Sequence, residues 1–141
     1  LLKARSLVAL GQRPQARVAY KVLAPLATQE LAAEVLYYEA YFNHLDQDFE
    51  ASNVLIQELA QEHPSYPYYG AKGLVLMALN FEGLNDLFQA NFILENVLDN
   101  FQEFPDIMRE AETEKQRLKE LQSVAAENAS MDNESDEQQP Q

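Results

Sequence analysis

The chain has 141 residues, ten Lys or Arg against 23 Asp or Glu, a net charge of −13 and no cysteine. This length suits one domain with a buried core, and the lack of thiols excludes disulfides and thiolate metal sites. The acidic balance disfavours nucleic acid and anionic membrane surfaces as partners, because both select clustered cations, and no apolar run approaches the roughly 18 residues of a membrane span.

The first segment, "LLKARSLVALGQ", has the pattern of a helix interior and no initiating Met. We therefore expect the chain to be the C-terminal fragment of a longer protein. Residues 1–28 predict one helical hairpin with its turn at Gly11, and the inward positions of its second helix are Ala16, Tyr20 and Leu23.

Residues 31–63 predict a second hairpin, with the short polar connection "HLDQD" and with Pro64 ending its second helix. Its apolar and small residues recur at helical spacing and predict two buried faces, formed by Leu36, Ala40, Phe42, Phe49, Ser52, Ile56 and Leu59.

Residues 67–102 predict a third hairpin around the link "EGLND". Gly83 is the candidate C-cap of its first helix, and Asn85 and Asp86 are candidate N-caps of its second. The helical period runs through Leu74, Met77, Ala78, Phe81, Leu87, Ala90, Leu94, Val97 and Phe101.

Small residues lie twelve positions apart across each predicted turn, in the pairs Ala4/Ala16, Ala40/Ser52 and Ala78/Ala90. Small side chains at these points allow two helices to approach closely. The second members of the pairs are separated by 36 and 38 residues, a period in the range of helical solenoids.

This pattern resembles the tetratricopeptide repeat over residues 1–104, through "GQRPQA" with Tyr20, "QDFEAS" with Ile56 and Pro64, and "NDLFQA" with Leu94. More narrowly, the third unit is similar to envelope-associated tetratricopeptide proteins of Bacteroidetes-type bacteria. It is also similar to accessory proteins of outer-membrane assembly and of the Tol-Pal system. The resemblance implies an all-α, right-handed solenoid whose first helices line a concave surface, and a periplasmic or outer-membrane-associated location, with a cytoplasmic one as the alternative.

Residues 105–128 predict one long capping helix, because a single narrow apolar stripe runs through Ile107, Ala111, Leu118, Leu121 and Ala125. Residues 129–141 have almost no apolar content and predict a disordered acidic tail.

Catalytic chemistry finds little support in the chain. His44 and His63 both fall at predicted helix ends, where a capping role is the ordinary one. The alternative is that His44, Asp46 and Asp48 contact a divalent cation. Three ligands from a single turn, with no second group of ligands elsewhere in the chain, would form only a weak metal site. We expect no enzyme activity, no cofactor and no bound metal.

Tyrosine is the more informative residue type, because all seven tyrosines precede residue 70. The resemblance places "YYEAYF" and "SYPYYG" in first helices, so Tyr38, Tyr41, Asn43 and Tyr69 are candidates for a partner-binding surface. The alternative is that Tyr37, Tyr41 and Tyr68 wedge between hairpins and bond backbone carbonyls. If Glu34, Glu39 and Asp46 line the same face, a basic peptide is the preferred ligand; otherwise they are ordinary solvated acids.

The sequence thus favours a non-enzymatic scaffold that binds a protein or peptide partner on its concave face. The alternative is a structural or oligomerisation module of a bacterial envelope complex, in which the C-terminal helix pairs with another subunit.

Overall fold

The computed structural model describes residues 1–136, in which every regular element is helical, as predicted. The helices are α1 (Leu2–Ala9), α2 (Arg13–Leu23), α3 (Gln29–Leu45), α4 (Phe49–Glu62), α5 (Pro67–Gly83), α6 (Leu87–Asn100) and α7 (Pro105–Asp136), with a 3-10 turn at Ala24–Leu26 after α2.

The turns of the three hairpins share one geometry. Gly11, Gln47 and Asn85 have φ values of 71°, 62° and 60°, and each lies two residues after the last helical residue. In each turn the next amide donates back across the helix end, as Asp86 N does to Phe81 O at 2.8 Å. This is the left-handed C-terminal cap that glycine favours most and asparagine tolerates. The equivalence of the turns shows the internal repeat in the backbone itself.

Gly83 has a different role from the cap predicted for it. It remains helical, and a Cβ atom there would lie 2.4 Å from Phe49 Cε2 at the start of α4. Asn85 takes the left-handed position instead. Asp86 is an N-cap, as predicted, because its side chain accepts from Gln89 N at 3.1 Å.

The small-residue pairs lie where the paired helices approach closely. All six of these residues are buried, with at most 1% of their surface exposed. In the second hairpin the Ser52 hydroxyl donates to the Ala40 carbonyl oxygen at 2.7 Å. The predicted packing residues Tyr20, Ile56 and Leu94 are also buried, and Phe81 packs against the core at partial burial.

Successive hairpins pack mainly through the second helix of one and the first helix of the next, with α2 against α3 and α4 against α5. Helix α5 lies against both α3 and α4, and α7 lies against both α5 and α6. A buried polar joint links α3, α4 and α5: Asn80 Nδ2 donates to Ser52 Oγ and to Asn53 Oδ1, each at 2.8 Å. Arg117 of α7 binds Glu82 of α5 through both terminal guanidinium nitrogens.

Helix α7 is longer than predicted. It continues through residues 129–136, which the sequence assigned to a disordered tail; residues 137–141 of that tail lie outside the described part of the chain. The segment from Leu121 to Asp136 contains neither Gly nor Pro, so no residue interrupts the helix once the buried turns before it are formed.

We expect Leu94→Ala to lower the free energy of unfolding by about 2–5 kcal/mol, because Leu94 is fully buried in the core between α5, α6 and α7. Urea denaturation measures the change. Phe92→Ala on the same helix is the matched control and should have little effect, because 58% of Phe92 is exposed. Equal stability of wild type and Leu94→Ala would contradict the packing register.

The turn geometry predicts that Gln47→Gly raises the free energy of unfolding by about 1 kcal/mol, because glycine adopts positive φ without a Cβ clash. Gly11→Ala, at the equivalent turn, should lower it by a similar amount. Thermal melts of both variants test the pair, and two unchanged melting temperatures would exclude this account of the turns.

Candidate functional site

Six of the seven tyrosines form one connected array, here called the tyrosine cluster: Tyr20, Tyr37, Tyr38, Tyr41, Tyr68 and Tyr69. Tyr38 stacks on Tyr20 of α2 with ring centroids 4.5 Å apart. Tyr37 contacts Tyr38 at 5.0 Å within α3 and Tyr69 of α5 at 6.2 Å. The cluster therefore crosses from the first hairpin through the second to the third.

The cluster has a buried side and a partly exposed side. Tyr20 and Tyr37 are buried, whereas Tyr38, Tyr41, Tyr68 and Tyr69 keep part of their surface in solvent. The predicted residues Tyr38, Tyr41 and Tyr69 are thus brought together, since the first two contact each other at 6.1 Å and both contact Tyr37, which meets Tyr69.

Lys72 adds a cation to this aromatic surface. Its Nζ lies 5.0 Å from the ring centroid of Tyr37, 5.8 Å from that of Tyr38 and 6.0 Å from that of Tyr68. These distances are in the range of cation–π attraction. Lys72 was not predicted as a site residue. It is nevertheless the only charged residue between Pro67 and Phe81, and a lone charge in a largely apolar segment is a signal that could have identified it.

A buried carboxylate lies beside the cluster. Glu34 is 2% exposed and receives two hydrogen bonds of 2.8 Å from the Arg5 guanidinium and one of 3.0 Å from the Tyr20 hydroxyl. Burial alone would raise the pKa of Glu34, but the bonds from Arg5 and Tyr20 outweigh it and hold the pKa below its usual value. Arg5, Tyr20 and Glu34, here called the Glu34 triad, connect α1, α2 and α3. Their hydrogen bonds hold in place the Tyr20 ring on which Tyr38 stacks.

The hydroxyls of Tyr68 and Tyr69 both have raised pKa values. A hydrogen bond of 2.7 Å to Asp106 at the start of α7 raises the pKa of Tyr68 to about 12. Burial raises the pKa of Tyr69 to about 12 as well. The alternative interpretation of the sequence predicted that Tyr68 bonds a backbone carbonyl. Its partner is instead the Asp106 carboxylate, so a side-chain hydrogen bond connects α7 to the cluster.

Asn43 is not part of this surface. It lies about half a helical turn from Tyr38 and Tyr41 on α3 and lines a cleft toward α2 with Arg17, Lys21 and Glu39. Two of the three acids considered for a basic ligand are also elsewhere: Glu39 lines that cleft, and Asp46 forms an ion pair with Arg17. The third, Glu34, is neutralised by Arg5. The three acids selected from the sequence therefore do not line this surface; the acidic groups near its rings are Asp106 and Glu110 of α7.

The histidines do not assemble a metal site. His44 lies in the last turn of α3, where its Nδ1 donates to Asn80 Oδ1 at 2.8 Å and its ring contacts Phe49. In the described part of the chain, no group of three His, Asp or Glu side chains lies close enough together to hold a metal ion.

No protein-family model, curated protein or solved structure matches this chain. Within residues 1–136, none of the helices combines the length and the apolar character needed to cross a bilayer. The site is therefore interpreted from its own residues.

We expect Arg5→Met to lower the free energy of unfolding by about 1–3 kcal/mol at about pH 7, because it leaves the Glu34 carboxylate buried without its main partner. Native Glu34 has a lowered pKa, so its contribution is present above the unfolded pKa of about 4.3 and is lost as pH falls through the folded value. In the variant, burial without Arg5 raises the pKa, so the destabilisation should shrink toward about pH 4.

Urea denaturation across this pH range measures the effect. The double variant Arg5→Met/Glu34→Gln, which removes the charge, should show no comparable pH dependence. An Arg5→Met penalty that is the same at every pH would show that Glu34 does not act as a buried anion.

Proposed function

We propose that the chain is a non-enzymatic scaffold of tetratricopeptide type, a right-handed solenoid of three helical hairpins closed by α7, which binds an extended peptide or a partner helix. The binding surface is the exposed side of the tyrosine cluster on α3 and α5, next to α7. The observation that carries this proposal is the set of four partly exposed tyrosines on two neighbouring first helices.

The chemistry of this surface suits protein recognition. Tyrosine offers a large apolar contact area with a polar end, and it is enriched among residues that dominate binding energy. The rings are held by one another and by the Glu34 triad, so little side-chain freedom remains to be lost on binding. Lys72 and Asp106 supply charges of opposite sign at the edge of the rings.

A bacterial-envelope setting, periplasmic or associated with the outer membrane, belongs to the same proposal and rests on the resemblance of the repeats alone. The cytoplasm is the alternative. The repeated turns and the buried small-residue pairs support a solenoid of this type, since each hairpin is covered by the next.

The test is a photo-cross-linking capture from native extract, with a photoreactive phenylalanine at position 69. We expect a partner to be captured, and the capture to be lost when Tyr38→Ala and Tyr41→Ala are added, because these changes remove the neighbouring contact area. Far-ultraviolet circular dichroism and melting temperature confirm that the variants are folded.

The matched control carries the photoreactive residue at position 92, an exposed phenylalanine on α6. A partner captured equally from positions 69 and 92, or retained in the Tyr38→Ala/Tyr41→Ala variant, would place recognition away from the tyrosine cluster.

A further inference from the structure

Lys72 lies against aromatic rings rather than against a carboxylate. Its Nζ is 5.0, 5.8 and 6.0 Å from the ring centroids of Tyr37, Tyr38 and Tyr68, here called the aromatic cage. Within residues 1–136 the Lys72 ammonium forms neither an ion pair nor a hydrogen bond. Several tyrosine rings around one cation are typical of sites that bind cationic ligands. The cage therefore already holds the kind of group that it suits.

The contacts between α5 and α7 show how the two helices face each other. The Tyr68 hydroxyl of α5 donates to Asp106 of α7 at 2.7 Å, and Arg117 of α7 binds Glu82 of α5. Residue numbers rise in the same direction along both helices between these contacts, so α5 and α7 run parallel. The side of each helix that faces the other is therefore known.

Glu110 is the carboxylate that faces Lys72. Lys72 follows Tyr68 by four residues, and Glu110 follows Asp106 by four, so each lies one turn further along the facing side of its helix. The Glu110 carboxylate is exposed and forms no hydrogen bond or ion pair in the described part of the chain. The surrounding protein nevertheless excludes enough water to raise the pKa of Glu110, and Lys72 only opposes this rise. Glu110 is thus an anion without a direct partner, beside the cage.

Charged groups that neutralise each other do not decide which ligand the cage attracts, and Arg5 and Glu34 form such a pair. In the rest of the described chain, the rings of the tyrosine cluster are flanked by one cation and three acids, namely Lys72, Glu30, Asp106 and Glu110. Asp106 remains an anion, because its hydrogen bond lowers its pKa. The excess charge is negative, so this surface attracts a cationic group and repels an anionic one.

We propose that the tyrosine cluster recognises an arginine side chain in a basic segment of the partner, and that this arginine takes the place of Lys72 in the aromatic cage. Lys72 then turns to Glu110, which faces it across the α5–α7 contact. The inference rests on the proposed function, because it names the ligand of the same surface.

Arginine is the cation best suited to replace Lys72. Its guanidinium is planar, stacks on aromatic rings and is less strongly hydrated than an ammonium, so it loses less on leaving water for the cage. The displaced Lys72 ammonium exchanges its cation–π contacts for an ion pair with Glu110. Lys72 is accordingly an internal competitor of the ligand, and its removal should strengthen binding.

Nuclear magnetic resonance of the full chain, with 13C-labelled tyrosine rings, tests the proposal. The probe is the peptide acetyl-Gly-Ser-Arg-Ser-Gly-amide, and we expect it to shift the tyrosine ring resonances until the site is saturated. The same peptide with citrulline in place of arginine has nearly the same shape without the charge, and it should bind about 10-fold more weakly. Binding of the arginine peptide should weaken as salt is raised.

The sign of the Lys72 effect is decisive. Lys72→Met should bind the arginine peptide about 3-fold more tightly than wild type, and Glu110→Gln should bind it about 3-fold more weakly. Asp99→Asn, which removes an exposed acid from α6, is the matched control and should bind like wild type. Melting temperatures show whether each variant is folded, and Lys72→Gln replaces Lys72→Met if that variant unfolds.

Weaker binding after loss of the Lys72 charge would overturn the proposal, because Lys72 would then contact an anionic group of the ligand. A peptide with glutamate in place of arginine would shift the rings in that case. Equal shifts from the arginine and citrulline peptides would also overturn the cation site, although the surface would still bind peptides as proposed above. If no peptide shifts the rings, the inference fails, and the capture from native extract through position 69 decides separately whether the surface binds a partner.

Discussion

The fold depends on the close approach of two helices at one point in each hairpin. Ala4 with Ala16, Ala40 with Ser52, and Ala78 with Ala90 are buried almost completely, and Ser52 Oγ lies 2.7 Å from the carbonyl oxygen of Ala40. A larger side chain at any of these points would force the helices apart. Because the second helix of each hairpin then packs on the first helix that follows it, the three separations together set the spacing of α3, α5 and α7. The tyrosine cluster depends on this helix spacing, because its rings make contacts between α2 and α3 and between α3 and α5.

Features that depend on neighbours along the chain were predictable from the sequence. The helical class, the three hairpins and the small-residue pairs all follow from local periodicity and spacing. Gly83 and Asn85 show the limit of this reasoning. Both residue types suit a helix end, and the sequence does not say that Phe49, 34 positions earlier, would occupy the space beside Gly83. The helical extension of α7 past residue 128 was missed because polar composition was taken as disorder, although neither Gly nor Pro occurs between residue 128 and Pro140.

The site was only half predictable, for a related reason. Tyr38, Tyr41 and Tyr69 were selected by residue type and by the repeat, and they do meet. Asn43, half a turn from the tyrosines, was selected as the kind of polar contact that such grooves use, but it lines the cleft toward α2 instead. The partners of Glu34 and Lys72 come from other helices, at separations of 29 residues for Arg5 and 35 for Tyr37. Such pairings arise from tertiary packing, which periodicity does not encode.

The net charge of −13 conceals an uneven distribution along the chain. Residues 1–29 contribute +5, which leaves −18 for residues 30–141. Two of the five cations, Arg5 and Arg17, form ion pairs with Glu34 and Asp46 of α3, so the basic first hairpin is attached to the acidic remainder of the chain by opposite charges. The tyrosine cluster begins at this same junction, because Tyr20 of α2 stacks on Tyr38 of α3 and its hydroxyl donates to Glu34. The packing of the first hairpin and the arrangement of the aromatic surface therefore depend on the same few contacts.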